Sequence, residues 1–316
     1  MLRKKPFSQI IDGVPAGPHC EPELFRESLR FHPREGDLVQ MTFPKSGTHW
    51  VLYITQLILK RGEPITTYQN FLDEMRYLGI VDFKGWKPSL PLRIFSTHQP
   101  PQTVTVSEEA KYVYVARNPW DVCVSFFRMA TSLNKYRFQD GTFDEFFEAF
   151  LEGDCAGHNY FDHVVSGYAL RNEPNVFFVT YEELMADTRG TVLRLARFLG
   201  ESYATELEQD EGMLQKLLER CSAGSMRSVL VFRTQHSNAG LGDAIESSDS
   251  SVKGEELPEN SKYCLVRQAK IGDWKTCFTP TQLQRIEDKI TEVELNSSVM
   301  DLWRSIRDEA YVQTKK

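Results

Sequence analysis

Lys45, Ser46, Gly47 and Thr48 stand where an apolar, β-forming run, Leu38–Phe43, breaks at Pro44 and an apolar helical pattern begins. Strand, tight loop and helix start, in that order, leave the first N–H groups of the helix unpaired. Such a terminus attracts anions, phosphate above all. Small residues at Ser46 and Gly47 let the main chain approach a ligand closely, and Lys45 adds a mobile positive charge at the same mouth. An ordinary strand-to-helix turn with a surface lysine has the same appearance, so the rest of the chain has to decide. Three more polar side chains end apolar runs: His98 after Leu92–Thr97, Arg117 after Lys111–Ala116, and Tyr181 after Asn175–Thr180. Two cations, an imidazole and a phenol suit an anionic ligand and a proton transfer.

These side chains act together only if their strands lie side by side. The pattern predicts a strand over 38–43, a helix over 48–61, strands over 92–98, 111–116 and 175–180, and a helix from Pro119 whose inner face is Val122, Phe126 and Met129. Further helical patterns cover 143–151, 161–170 and 192–199, the last stopped by Gly200 as a left-handed cap. Strands alternating with helices imply right-handed crossovers and a parallel sheet covered on both faces. The expected fold is therefore α/β, a single domain with a central parallel sheet flanked by helices. Ligands in such sheets bind beyond the carboxyl ends of the strands, which makes Lys45, His98, Arg117 and Tyr181 neighbours.

The remaining segments are placed more coarsely. Residues 1–36 read as an arm wrapping a domain that spans 37–308, with 309–316 a tail. The aromatic, loop-rich stretch 62–92 (Tyr68, Phe71, Tyr77, Phe83, Trp86) either lines an acceptor pocket or anchors loops on the core; Tyr136 and Phe138 are further pocket candidates. Residues 239–262 are polar, acidic and aperiodic, and are expected to form a mobile loop or lid. A last helix is expected over Thr279–Arg307, with Pro280 in its first turn and Leu283, Ile286, Ile290 and Val293 spaced for burial.

Composition narrows the function classes. A chain of 316 residues with net charge −7 argues against a general nucleic-acid binder, though not against a local basic pocket. No apolar run reaches membrane-spanning length, and the basic start Met1–Pro6 lacks the apolar core of a signal peptide, so a cytoplasmic location without membrane attachment is expected. Six scattered cysteines form no C-x-x-C pair, and seven histidines show no metal-ligand spacing; reduced thiols and no metal site are expected.

Three separated motifs together resemble the cytosolic sulfotransferases. They are Thr42–Trp50; Tyr114–Pro119 with Ser125 eight residues beyond the arginine; and Arg267 followed by Gly272-Asp273-Trp274-Lys275. Thr97-His98 and Val179–Glu182 also match in order and spacing, so the resemblance spans roughly residues 40 to 305. It implies a P-loop-like phosphosulfate-binding strand–loop–helix and, as donor, 3′-phosphoadenosine 5′-phosphosulfate (PAPS), with no metal. By that resemblance Lys45, Ser46, Gly47, Thr48, His49 and Trp50 cradle the 5′-phosphosulfate, and Trp50 also stacks on the adenine, with Tyr181 and Cys221 near its edge. Arg117, Ser125 and the Arg267-Gln268-Ala269 run hold the 3′-phosphate. His98 is then the general base for the acceptor, a role worth about 10²–10⁴-fold, and Lys45 stabilises the leaving phosphate. The acceptor is a small molecule such as a phenol or catecholamine.

Four positions depart from the family's usual pattern. Ser96 stands where lysine is common, His49 replaces a threonine that would hydrogen-bond the phosphosulfate, Gln268-Ala269 replaces lysine-glycine, and Ala223 replaces an adenine-packing phenylalanine. Loss of one transition-state donor costs about 10²–10³ in rate, so Ser96 implies a slow enzyme unless His49 or an arm of the loop compensates. The family's dimer signature is degraded at Pro280 and Gln284, which favours a monomer over a homodimer. Two other readings stay open: a family member that binds PAPS or its product 3′-phosphoadenosine 5′-phosphate (PAP) without catalysis, and a nucleotide kinase. The G-x-x-x-x-G-K-[ST] order a kinase needs is absent.

Overall fold

The computed structural model describes residues 4–155, 157, 159–233 and 262–314. Its first elements are a small antiparallel hairpin, β1 (Gln9–Ile11) and β2 (Val14–Ala16), and a helix, α1 (Pro22–Leu29). Ile11, Ala16 and Phe25 form a small apolar cluster of their own there, distinct from the main core.

β3 (Asp37–Thr42) is the centre of a five-stranded sheet. β4 (Met75–Tyr77), β5 (Arg93–Thr97), β6 (Lys111–Ala116) and β7 (Val176–Thr180) complete it in the order β4–β5–β3–β6–β7, every pair parallel. All six residues of β3 are buried, as expected of a strand covered on both faces, where alternation gives way to a continuous apolar run. Its one charge, Asp37, is held by a two-pronged bond from Arg93 (2.7 and 2.8 Å). The four expected strands are present, each within a residue or two of its expected bounds. β4 is the addition: three residues on the sheet edge are too few to make a readable β pattern.

α2 (Thr48–Leu59) follows β3 directly and is buried along nearly its whole circumference. α3 (Tyr68–Asp73) leads into β4. α4 (Pro119–Ser132) follows β6, with Pro119 in its first turn and the Asn118 side chain accepting the Asp121 N–H. α5 (Phe143–Leu151) and α6 (Tyr160–Ala169) precede β7, and α7 (Tyr181–Ala186) leaves it through a capping box between Thr180 and Glu183. α8 (Thr188–Leu199), α9 (Glu201–Gln209), α10 (Glu211–Arg220) and α11 (Ala223–Val229) then run to an antiparallel pair, β8 (Val231–Arg233) with β9 (Lys262–Cys264). The expected loop or lid at 239–262 lies outside the described residues apart from Lys262.

Two expected helix ends are corrected. Gly200 does end α8, but its backbone is extended (φ 172°) rather than left-handed, because α9 starts at once and uses it as an N-cap. The single helix expected over 279–307 is instead a helix Pro280–Glu294, a 3₁₀ turn Val299–Trp303 and a second helix Arg304–Thr314. Asn296 and Ser297 bond back to the Val293 carbonyl and close the first helix, and burial of Val299, Met300 and Trp303 fixes the turn. No helix among the described residues is long and apolar enough to cross a membrane.

Candidate functional site

The carboxyl ends of β3, β5, β6 and β7 open onto one cleft enclosing about 1150 Å³, solvent at its mouth included. Lys45, His98, Arg117 and Tyr181, the four strand-end side chains, all line it. So do Gly47, Thr48, His49 and Trp50 from the start of α2, Ser125 from α4, and Arg267, Gln268 and Ala269 from the loop after β9. Ser46 and Cys221 do not. Ser46 is buried, with its N–H already given to the Phe43 carbonyl (3.2 Å). Cys221 is buried behind the Trp50 ring, whose indole N–H donates to the Cys221 carbonyl (3.0 Å).

At one end of the cleft, cations are held by buried carboxylates. The Arg117 guanidinium lies over the Tyr181 ring (4.2 Å) and donates to the Lys270 carbonyl (2.9 Å). Only 8 % of Arg117 is exposed, yet its Nε has no partner among the described residues, so a buried donor is left for a ligand. Asp121, also buried, accepts from the main-chain N–H of Gly272 (2.9 Å) and Trp274 (3.2 Å) and lies 3.5 Å from Arg117. That one carboxylate fastens the 267–275 loop to the turn that carries Arg117. On the loop itself Asp273 pairs with Arg267 and with Lys270 (3.3 Å), while Arg227 donates to the carbonyls of Val266, Arg267 and Gln268 (3.2, 3.2 and 3.3 Å). Ala269 sits in the left-handed region (φ 53°), where the absence of a side chain would relieve strain.

The other end is leaner. Lys45 takes a left-handed backbone (φ 72°), an uncommon conformation for a residue with a side chain and one found where function fixes the geometry. Burial, then the nearby Arg117 and Arg267 charges, lower its ammonium pKa to about 8. His98 Nδ1 is 2.7 Å from the Thr42 carbonyl; a carbonyl only accepts, so Nδ1 carries the proton and Nε2 is left as the basic nitrogen. Burial lowers the His98 pKa, the Thr42 bond works against that, and Lys45 adds to it. His49 Nε2 lies 2.8 Å from the Tyr77 hydroxyl, and burial together with Lys45 and His98 brings its pKa down to about 3.

A second cavity of about 520 Å³ adjoins the cleft. His19, Pro44, Ile80, His98 and Tyr136 line both, so His98 stands in the wall they share. Pro18, Phe25, Tyr77 and Phe126 make the rest of this cavity largely apolar, with Cys20, Ser96, Thr97 and Gln99 as polar points. No Asp or Glu lines either space among the described residues. The expectation for the aromatic stretch divides here: Tyr77 lines the cavity, whereas Tyr68, Phe71, Phe83 and Trp86 pack on the main core. Of the pair further on, Tyr136 lines both spaces and Phe138 is wholly buried.

Several lining residues carry no sequence signal. Met226 and Phe232 line the cleft and add apolar surface that Ala223, which does not line it, fails to supply. His19 comes from the N-terminal arm and meets the edge of Tyr136 (5.4 Å between centroids). Lys270, which also lines the cleft, directly follows the Arg267-Gln268-Ala269 run. Among the described residues no group of three or more His, Cys, Asp or Glu is placed to hold a metal ion.

Comparison with known proteins agrees with this architecture. Residues 35–301 match the family model described as the sulfotransferase domain. The chain is 31% identical over 290 residues to cytosolic sulfotransferase 10 of Arabidopsis thaliana, covering 85% of this chain and 80% of that one. It is 30% identical over 289 residues to sulfotransferase 2B1 of Mus musculus, covering 88% and 77%. Among solved structures, mouse sulfotransferase SULT7A1 complexed with PAP superposes with a TM-score of 0.71 at 24% identity, covering 95% of this chain and all (100%) of that one.

Proposed function

Since the chain belongs to the sulfotransferase family, we propose that it moves a sulfuryl group from PAPS to the hydroxyl of a small, largely apolar acceptor, at the wall shared by its two cavities. The observation that carries the reading is His98: its Nδ1 is committed to the Thr42 carbonyl, and its ring borders both the cationic cleft and the apolar cavity. The cleft suits a nucleotide with phosphates at both ends. Arg117 keeps a buried N–H without a partner among the described residues, and the first turn of α2 precedes any intrahelical acceptor for its N–H groups.

In this reading Arg117, Ser125 and Arg267 hold the 3′-phosphate, while Thr48, His49 and Trp50 surround the 5′ end. Trp50 and Tyr181, edge to face at 5.4 Å, flank the base together with Met226 and Phe232. When bound, the donor supplies an activated sulfuryl group on a phosphate leaving group. His98 Nε2 takes the acceptor's hydroxyl proton. Lys45 sets its positive charge where the leaving oxygen becomes negative, and anion binding restores an ammonium that burial alone disfavours.

A phenol or a similar small alcohol fits the second cavity better than an amine, because no carboxylate among its described residues meets an ammonium group. Six free thiols accord with a reducing compartment, and we assign the protein to the cytoplasm. The test is turnover with PAPS and a pooled set of phenols, catecholamines, steroids and aliphatic alcohols, with products read by mass. Sulfated phenols are expected ahead of protonated amines. Tight PAP binding without product from any acceptor would overturn the transfer reading.

A further inference from the structure

In the sequence Tyr77 is one aromatic of a loop-rich stretch, and nothing in the transfer mechanism above uses it. Tyr77 is 1% exposed, and among the described residues its hydroxyl makes a single hydrogen bond, to His49 Nε2 at 2.8 Å. A buried phenol proton goes to whatever acceptor it has, so the hydroxyl donates and Nε2 accepts. The proton of a neutral His49 ring is then fixed on Nδ1, which has no hydrogen-bond partner within the protein among the described residues. Ser96 sits beside Tyr77 in the parallel pairing of β4 and β5, so the two side chains leave the same face of the sheet. The Ser96 hydroxyl is buried and has no partner among the described residues. Ser96 therefore brings no exposed donor to this corner, while His49, at the start of α2, brings one.

We propose that Tyr77 is a positioning residue that locks His49 as a neutral Nδ1–H donor, and that this donor does at the sulfuryl end what Ser96 cannot. The inference rests on the sulfotransferase reading and deepens it. A neutral donor has one advantage in this corner. Lys45 is already poorly solvated and faces Arg117 and Arg267, so a second ammonium beside it would be driven to give up its proton. An imidazole that burial and the Lys45 charge keep uncharged adds a hydrogen bond without adding repulsion. Tyr77 decides which nitrogen supplies it.

The imidazole signals of ¹⁵N-histidine-labelled wild-type protein, with and without PAP, test the lock directly; His49 is assigned by its loss in His49→Ala. The proposal expects Nδ1 protonated and Nε2 bare at neutral pH, and a mixture of tautomers in Tyr77→Phe. Kinetics supply the second arm. His49→Ala should lower kcat about 10²-fold with PAP affinity changed less than about threefold. Tyr77→Phe should lower kcat roughly 3- to 10-fold, and the double variant should be no slower than His49→Ala alone, because Tyr77 acts only through His49. A protonated Nε2 in the wild type, or losses that multiply in the double variant, would overturn the proposal. A wild type that sulfated nothing would count against the transfer reading, and the imidazole spectrum would still decide the Tyr77–His49 pairing.

Discussion

The two ends of the cleft are built in opposite ways. Around Arg117 and Arg267, every cation has a carboxylate or carbonyl behind it: Asp121 binds two loop N–H groups, Asp273 takes Arg267 and Lys270, and Arg227 ties three carbonyls of the same loop. That end is held in shape before any ligand arrives. Around Lys45, His49 and His98 no carboxylate lines the cleft among the described residues, and burial pushes all three pKa values down. The first arrangement suits binding a fixed anion. The second suits a charge that appears only during reaction, since groups made uncomfortable by burial gain most when that charge develops.

If the contrast is real, substitutions at the two ends should separate rate from affinity. The largest effect is expected for Lys45→Met, which should lower kcat by about 10²–10³. The same variant should melt higher than wild type without ligand, by roughly 2–4 °C. The sign follows from the lowered pKa: folded Lys45 gives up its proton at about 8 and the unfolded chain near 10.5, so the charged form costs stability at neutral pH. Wild type should accordingly gain on the variant as pH rises from about 8 to 10.5. A Lys45→Met protein that melts lower at neutral pH would mean the lysine is a structural support.

At the other end Asp121→Asn should act on affinity. It keeps the size of the side chain but weakens its hold on the Gly272 and Trp274 N–H groups and on Arg117. PAP binding measured by calorimetry should weaken about 10-fold, with kcat at saturating donor within about threefold. A change confined to kcat would dissolve the distinction between the ends. The smallest effect is expected at Ala269→Gly, which relieves a left-handed backbone on the same loop. Stability should rise by about 1 kcal/mol in denaturant titration, with donor affinity unchanged or slightly improved. A loss of stability there would show that the alanine methyl makes a contact worth more than the strain.

What could be read from the sequence follows the same division. Lys45, His98, Arg117 and Tyr181 were legible because each ends a strongly apolar β run, and a parallel sheet gathers such ends on one edge. Asp121 is in the sequence no more than an acidic residue two positions after Pro119; that it fastens a loop some 150 positions later depends on tertiary contacts with no local trace. Tyr77 was legible as a pocket aromatic, but its bond to His49 was not, because its strand is three residues long and lies among turn formers. The helices between Glu201 and Val229 escaped for a related reason: they are short, follow one another almost without loops and carry mixed surfaces, so no apolar period is sustained. The break at 295–298 leaves no mark in the sequence pattern, because the buried residues on either side of it fit one continuous period well enough.

The most direct measurement of the central claim is single-turnover sulfuryl transfer by wild type and His98→Ala across the acid range, together with the PAP dissociation constant of each. The account predicts that wild-type kcat/KM, which reports the free enzyme, loses activity on acidification with a midpoint below 6.5, since burial lowers the His98 pKa and only the neutral ring accepts a proton. His98→Ala should lose about 10²–10⁴-fold in rate, lack that acid limb, and bind PAP within about twofold of wild type. Transfer at the parental rate by His98→Ala, or a loss explained by weakened PAP binding, would contradict it.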